Sequence, residues 1–470
     1  MKKTVLAILL AAVMLLTACG TGGGGGKKTA NFTVPEGGYD GSEVTIKFYH
    51  TMGANLREVL TAYIEEFNKL YPKIHIVEEQ VGGYDDVKNQ IMTEITADNQ
   101  PNIAYCYPDH VAMYNIAKAV ATLDELIDSQ IEVTRADGTK EILGLTDAQK
   151  ADFIEGYYNE GREFGDDLMY TMPFSKSTEV LYYNKTFFEA YDLQVPKTWD
   201  DMEILCARIK QIDPNCIPLG YDSEANWFIT MCEQLKSPYT SATEPHFLFD
   251  NEQNRAFVKK FSTWYDKGYV TTQQLHGGYT SSLFIATEGT HSYMSIGSSA
   301  GATHQRPAKV DGAYPFEVGI ATIPQIDPSK PKVISQGPSV CIFLKKNPQE
   351  VIASWLFVKF LTTTVEFQAE FSSVSGYVPV LKSVAQNPAY AASLAKADGY
   401  DYVSYLSAKI CLEQVNAYYT SPAFNGSSTA RDQVGALLSK CLPFDTSASN
   451  IDKQIQDAFK AAIGECEYQN

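Results

Sequence analysis

Apolar residues set the frame from Val44 onward. VTIKFY (44–49) alternates apolar and polar positions, which predicts a strand. Leu56, Val59, Leu60, Tyr63, Ile64, Phe67 and Leu70 then recur at helical spacing, and Tyr71-Pro72 stops that helix. Ile74, Ile76 and Val77 predict a second strand. Tyr84 to Asp98 reads as a helix with Val87, Ile91 and Ile95 on one face, and 101–105 (PNIAY) as a third short strand. This β-α-β-α-β alternation predicts a mainly parallel sheet with helices on its faces. Ligands of such sheets bind beyond the carboxyl ends of the strands. Here those ends are Tyr49-His50-Thr51, Gly82-Gly83-Tyr84 and Tyr107-Pro108-Asp109.

Further along, Thr198-Trp199-Asp200-Asp201 has the spacing of a capping box, followed by the stripe Met202, Leu205, Cys206 and Ile209. Asn347-Pro348-Gln349-Glu350 is a second helix start, with Pro at the first helical position. No tandem repeat is present. The amino terminus differs in kind. Lys2 and Lys3 precede an almost wholly apolar run from Val5 to Leu16, then Thr17, Ala18 and Cys19. That layout predicts a secretory signal peptide over 1–18. Residues 20–42 are Gly-, Lys- and Thr-rich without periodicity, so 19–42 is expected to be a flexible tether with a reach of roughly 25–30 Å.

Composition narrows the class. The roughly 430 residues beyond leader and tether are too many for one core and fit two large lobes. Hydrophobic content of 44% and charged content of 20% are those of a soluble globular chain. A formal charge of −18 with no basic stripe argues against a nucleic-acid partner. Eight cysteines beyond Cys19 are scattered without a CxxC, so most are expected to be buried small hydrophobes. Cys206 and Cys216 lie close enough in sequence for a disulfide, which spacing alone does not establish. No HExxH and no GxxxxGK[ST] occurs, so no metal, no cofactor and no ATP hydrolysis is expected.

Two resemblances sharpen this reading. Leu16-Thr17-Ala18-Cys19 resembles the bacterial lipobox, in which the peptide is cut before the Cys and the Cys carries lipid. VTIKFYH, YPKIHIVEEQ, DNQPNIAYC and above all PFSKSTEVLYYNKTFFEAYDLQVPKTWDDM (173–202) resemble the extracellular solute-binding proteins of ABC importers, the carbohydrate-binding, maltose-binding-protein-like group in particular. LFIATEGTHSYMSIGS, FEVGIATIP, the helix pair after SVCIFLKKNPQ and SGYVPV fit the same group in order. Asn102 departs from it, since many relatives carry an acidic residue there.

The resemblance implies a two-lobed, hinge-connected α/β fold of the periplasmic-binding-protein type. Lobe 1 would hold 43–170 with 326–376, and lobe 2 174–322 with 380–470. Crossings would fall near Tyr170–Pro173, Ile323–Gln325 and Gly376–Pro379. It implies an exported lipoprotein held on the outer face of the cytoplasmic membrane. A monomer is expected, which binds a sugar or oligosaccharide by hinge closure and delivers it to a permease. Rival solutes are a polyamine, glycerol phosphate or a metal chelate; Lys176 and Arg306 in the cleft would favour an anion.

Sugars are held by aromatic faces and by planar polar groups. The chain is 12% aromatic, with 29 Tyr. Strand-end and crossing positions select Tyr49, His50, Tyr107, Asp109, Ser175, Lys176, Tyr221, Asn226, Trp227, Ser298, Ser299, Gln336, Gly337 and Tyr377 as ligand-binding residues. Trp227 is expected as an aromatic platform, with a buried core position as its alternative. Trp199, Trp264 and Trp355 lie in helical stripes and are expected in the core. Gly297-Ser298-Ser299-Ala300-Gly301 matches the GxSxG of serine hydrolases. A strand precedes it, but ATHQRPAKVDGAYP comes after it with no apolar helical run, so a cleft loop is the better account of it than a glycosidase or esterase site.

Overall fold

A computed structural model describes residues 30–395 and 402–469. The signal peptide expected over 1–18 and the acylation site at Cys19 lie outside the described residues. No helix among the described residues is long and apolar enough to cross a membrane.

Two five-stranded sheets organise the chain. The first runs Ile74–Gln80, Val44–His50, Ile103–Cys106, Ser339–Ile342 and Met172–Pro173 in spatial order. Val44–His50 pairs in parallel with Ile74–Gln80 over seven residues, and Ser339–Ile342 returns antiparallel to Ile103–Cys106. Val44, Ile46 and Phe48 point into a core. The helix Ala54–Leu70 covers it with Val59, Leu60, Ile64 and Phe67, four residues on one helical face. Asn102 holds the entry to its strand, accepting from Lys47 N (3.0 Å) and donating to Glu350 (3.0 Å). A neutral amide does both jobs there.

The second sheet runs Val318–Thr322, Glu179–Asn184, Met294–Ser298, Leu219–Tyr221 and Val270–Thr272. Glu179–Asn184 is antiparallel to both neighbours and the remaining pairs are parallel. Trp199, Trp227, Trp264 and Phe261 fill one of its faces. Thr198 accepts from Asp201 N (3.0 Å) and its own N donates to Asp201 (2.9 Å), a reciprocal cap of the helix Trp199–Ile212.

Three details depart from the expected boundaries. Residues 31–40, expected in the tether, pack on the first lobe. Phe32 is buried, Asn31 exchanges hydrogen bonds with Val120 and Thr122, and Asp40 N donates to Gln349. A phenyl ring with an apolar seat is what the Gly-rich composition concealed. The second crossing lies at 335–338 rather than at Ile323–Gln325: after Val318–Thr322 the chain stays on the second lobe, where Thr198 bridges Gln325 and Val333–Ile334 pairs with Tyr418–Tyr419. The helices Pro388–Leu394 and Tyr402–Glu413 pack on each other and bridge the lobes. The former packs on the helix Val365–Ser375, the latter on the strand Val318–Thr322. All eight cysteines from Cys106 to Cys466 are buried, and Cys206 and Cys216 carry separate thiols rather than a disulfide.

Candidate functional site

The two sheets are joined by three chain segments hydrogen-bonded side by side. Lys176 N donates to Val378 O (3.0 Å) and Val378 N returns to Lys176 O (2.5 Å). Ser177 and Gln336 exchange two backbone bonds of 2.8 Å each. The contact requires glycine at 337. Its φ is +89°, and a Cβ there would lie 2.7 Å from Ser175 O and 2.8 Å from the Lys176 Cα.

Lys176 is fully buried at this junction. Its ammonium lies 2.8 Å from both Glu160 oxygens and 2.9 Å from Ser339 Oγ. Burial raises the Glu160 carboxyl from its ordinary value, opposed by the Lys176 charge.

Above the junction the first lobe presents tyrosines. Tyr84 stacks on Tyr107 (centroids 4.4 Å, 27°) and lies parallel to Tyr105 (6.5 Å, 9°). Tyr377, on the third crossing, faces the same phenols, and its proximity together with burial raises all of their pKa values. Tyr107 caps the helix Pro108–Ile116, whose first turn carries Asp109. Opposite stands the helix Ser427–Cys441 of the second lobe, with Arg431 at its second turn.

Two cavities meet here. One, of about 120 Å³, lies between Tyr107, Asp109 and Glu160 on one side and Arg431, Ser427 and Ile229 on the other, against Ser335 and Gln336 of the second crossing. Ser335 Oγ is buried there without a partner. The other, of about 550 Å³, lies over the carboxyl ends of the second sheet, lined by Asp222, Ser223, Asn226, Ser298, Gly301 and Gln336. Its size is that of a small-molecule site. Between them runs a polar network. Asn226 Nδ2 donates to Gln336 (2.8 Å) and to Glu179 (3.0 Å), Gln336 Nε2 donates to Asn226 Oδ1 (3.1 Å), and Arg431 donates to that same oxygen. Tyr221 OH donates to the second Glu179 oxygen (2.6 Å). Asp222 is held by Thr280, through N (2.6 Å) and Oγ1 (2.7 Å).

Of the residues selected from sequence, Tyr107, Asp109, Asn226, Ser298 and Gln336 line these cavities. Tyr377 faces the tyrosine wall, and Ser175 is buried beside Tyr105. The others are placed differently. Trp227 is fully buried, stacked on Tyr221 (4.8 Å, 11°) and packed on Phe261 (4.1 Å), because its turn of helix faces the sheet. Tyr49 is core and donates to Glu94; His50 is core, bonded to Glu78 (2.8 Å) and accepting from Met52 N. Lys176 is consumed by Glu160, and Tyr221 supports Glu179 from beneath. Gly337 contributes close packing. Ser299 Oγ is buried and accepts from Thr178 N (3.2 Å), and Ser299 opens a 3-10 helix, Ser299–Gln305, in place of the α-helix a nucleophile elbow requires. Arg306 lies over the Tyr314 ring (5.7 Å) and lines neither cavity. Sequence reasoning missed Tyr84, Arg431, Glu179 and Asp222. Tyr84 was legible at a strand end; Arg431, in an unremarkable polar helix, carried no signal.

The sequence model of the family described as bacterial extracellular solute-binding protein matches residues 62–397. The chain belongs to this family. Among curated relatives, the sn-glycerol-3-phosphate-binding periplasmic protein UgpB of Escherichia coli (strain K12) is 23% identical over 355 residues, 72% of this chain and 75% of that protein. Among solved structures, UgpB from Mycobacterium tuberculosis in complex with glycerophosphocholine superposes with TM-score 0.69 at 16% identity, over 90% of this chain and 98% of that one. The cyclic alpha-maltosyl-1,6-maltose binding protein from Arthrobacter globiformis gives 0.67 at 18%, over 91% and 100%. The sugar-binding protein MalE from Xanthomonas citri gives 0.67 at 16%, over 91% and 100%. The two-lobed α/β architecture is therefore that of extracellular solute-binding proteins, and in it the tyrosine wall and the two cavities lie where the three crossings join the lobes.

Proposed function

We propose that this solute-binding protein captures a sugar or oligosaccharide between its lobes and delivers it to the permease of an ABC importer. The observation that carries the reading is the meeting of both lobes at the crossings. Stacked tyrosines from one lobe face hydroxyl, amide and carboxylate groups from the other. Aromatic faces cover sugar rings while Asp109, Asp222 and Asn226 accept from or donate to hydroxyls. Because each lobe supplies half of these contacts, the solute biases the lobes toward closure. Neighbouring maltose-type binding proteins support this reading. The protein acts as a monomer held to the outer face of the membrane through lipid on Cys19, and without catalysis. Ser299, the serine of the GxSxG match, has its oxygen engaged by Thr178 N.

Arg431 favours a second reading, a glycerol phosphate or glycerophosphodiester, whose charge the guanidinium would meet. The relatives that bind sn-glycerol 3-phosphate and glycerophosphocholine support it. A thermal-shift screen on residues 30–470 decides between them, since binding raises the midpoint by mass action. Maltose or maltotriose moving the midpoint supports the first reading, glycerophosphocholine the second. A shift with a polyamine alone overturns both. Radiolabelled palmitate incorporation into the full chain, lost in Cys19→Ala, tests the anchor.

A further inference from the structure

Glu179 opens the first strand of the second lobe after the crossing, and it is 1% exposed. Both of its oxygens accept from neutral donors, Tyr221 OH and Asn226 Nδ2. A cation stands one residue removed: Arg431 donates to the other end of the same Asn226 amide. Asn226 also forms a two-bond amide pair with Gln336 on the second crossing. The amide is thus oriented from three sides, with its NH2 toward the carboxylate and its oxygen toward the guanidinium.

We propose that Glu179 and Arg431 form a proton-linked pair through Asn226, so that a proton taken up by Glu179 frees the Arg431 charge for an anionic group of the solute. Ionised Glu179 partly neutralises Arg431 and weakens the cleft for anions; protonated Glu179 does not. Arg431 lines the cavity with Asp109, whereas Glu179 borders the other cavity with both oxygens engaged by Tyr221 and Asn226, so toward the anion site Glu179 is a charge-setting residue. The inference deepens the solute-binding reading and rests on it for its consequence, though not for the coupling itself.

The electrostatics agree with the geometry. Burial raises Glu179 to about 7, Tyr221, Asn226 and Arg431 pull it down, and Asp222 pushes it up. These groups come from three elements: Tyr221 and Asp222 from the strand Leu219–Tyr221 and its end, one strand beyond Met294–Ser298, Asn226 from the helix Glu224–Leu235, and Arg431 from Ser427–Cys441. Tyr419 of the short strand Tyr418–Tyr419 also faces the carboxylate. Native Glu179 holds its proton more tightly than the unfolded chain does. Stability therefore falls as pH rises from the ordinary carboxylate range through about 7, and is flat above.

The coupling is tested without any solute, by melting temperature against pH for the wild type, Glu179→Gln and Arg431→Gln. The expected result is a stability decline between about pH 4.5 and about 7 in the wild type, absent in Glu179→Gln and extended to higher pH in Arg431→Gln, which removes the lowering cation. Coincident wild-type and Glu179→Gln profiles, or a decline that extends no higher in Arg431→Gln, overturn the proposal. Arg431 is half-buried, so its variant is expected to fold even where Glu179→Gln does not. The consequence is read by calorimetry with glycerophosphocholine, whose phosphate keeps one charge across the range, and with maltose. Reciprocity predicts roughly tenfold tighter diester binding in the wild type at about pH 5.5 than at pH 8.5, lost in Glu179→Gln, and no such trend for maltose. A diester that binds at no pH while the melting signature stands supports the coupling and overturns the diester reading instead.

Discussion

Lys176 holds its ammonium 2.8 Å from both oxygens of Glu160, and both side chains are buried where the three crossings meet. The pair ties the second-lobe side of the first crossing to a turn of the first lobe. Lys176→Met is expected to destabilise the fold by about 3–5 kcal/mol, because an uncompensated carboxylate is left in the interior. Adding Glu160→Gln is expected to restore part of that loss. Urea denaturation of the two single variants and the double variant measures it. Equal losses in single and double variants would show that the pair is not the source.

Trp227 gives an opposite outcome from a contact residue. It lies among Tyr221, Phe261 and Trp199 in the second core. Trp227→Ala is expected to lower stability by about 3–5 kcal/mol, with Trp227→Phe costing far less. Denaturation midpoints decide this. A Trp227→Ala protein that melts like the wild type yet fails to bind solute would return the ring to the cleft.

How much of this was legible in the chain depends on what kind of order each part needs. VTIKFY and the stripe Val59, Leu60, Ile64 and Phe67 are periodic patterns, and periodicity survives in sequence. The Thr198–Asp201 cap was legible because its partners are three residues apart. The site was harder. Tyr107 and Asp109 are marked by a strand end, but Arg431 meets Asn226 across 205 residues, and no local pattern encodes that meeting. Trp227 misled for a related reason. The helix Glu224–Leu235 buries eight of its residues on several sides, so its apolar positions do not mark one inward face.

Among the described residues, Arg431 offers the cavity a cation that no carboxylate directly binds, whereas Lys176 is spent. Arg431→Gln is expected to weaken glycerophosphocholine binding by about 10–100-fold, the worth of a hydrogen bond to a charged group. Maltose affinity is expected to change by no more than a few-fold. Isothermal titration of both solutes on the same preparation separates the two. An equal loss for both would mean that Arg431 acts through Asn226 and the hinge rather than through charge.

Acid stability has a locus away from the cleft. Glu141 accepts from Tyr71, Arg135 and Lys359. Burial opposes its charge, but the hydrogen bonds from Arg135 and Tyr71 and the Lys359 charge outweigh it and bring the carboxyl to about 2. The folded value is depressed, so its contribution is full above the unfolded value near 4.5 and is lost as pH falls from there to about 2. Glu141→Gln is expected to cost about 2–3 kcal/mol at neutral pH and almost nothing near pH 2. Chemical denaturation of both proteins across that window measures the convergence. A difference that stays constant with pH would place the cost in packing.

Gly337 governs how closely the crossings approach. Its φ of +89° is costly for any side chain, and an added Cβ would meet the backbone of Ser175, Lys176 and Ser177 at 2.7–2.9 Å. None of those atoms is the end of a flexible chain, so the segments themselves would have to part. Parting them pulls Gln336 from Ser177 and from Asn226, and with it the orientation that Asn226 gives Arg431. Gly337→Ala is therefore expected to lower stability by more than about 1–3 kcal/mol, the usual scale of stored backbone strain, and to loosen the lobes. Small-angle scattering on the folded fraction reads the second effect as a larger radius of gyration that solute no longer reduces. A variant that is less stable but still contracts with solute would confine the role of Gly337 to packing and leave the hinge to Lys176 and Val378.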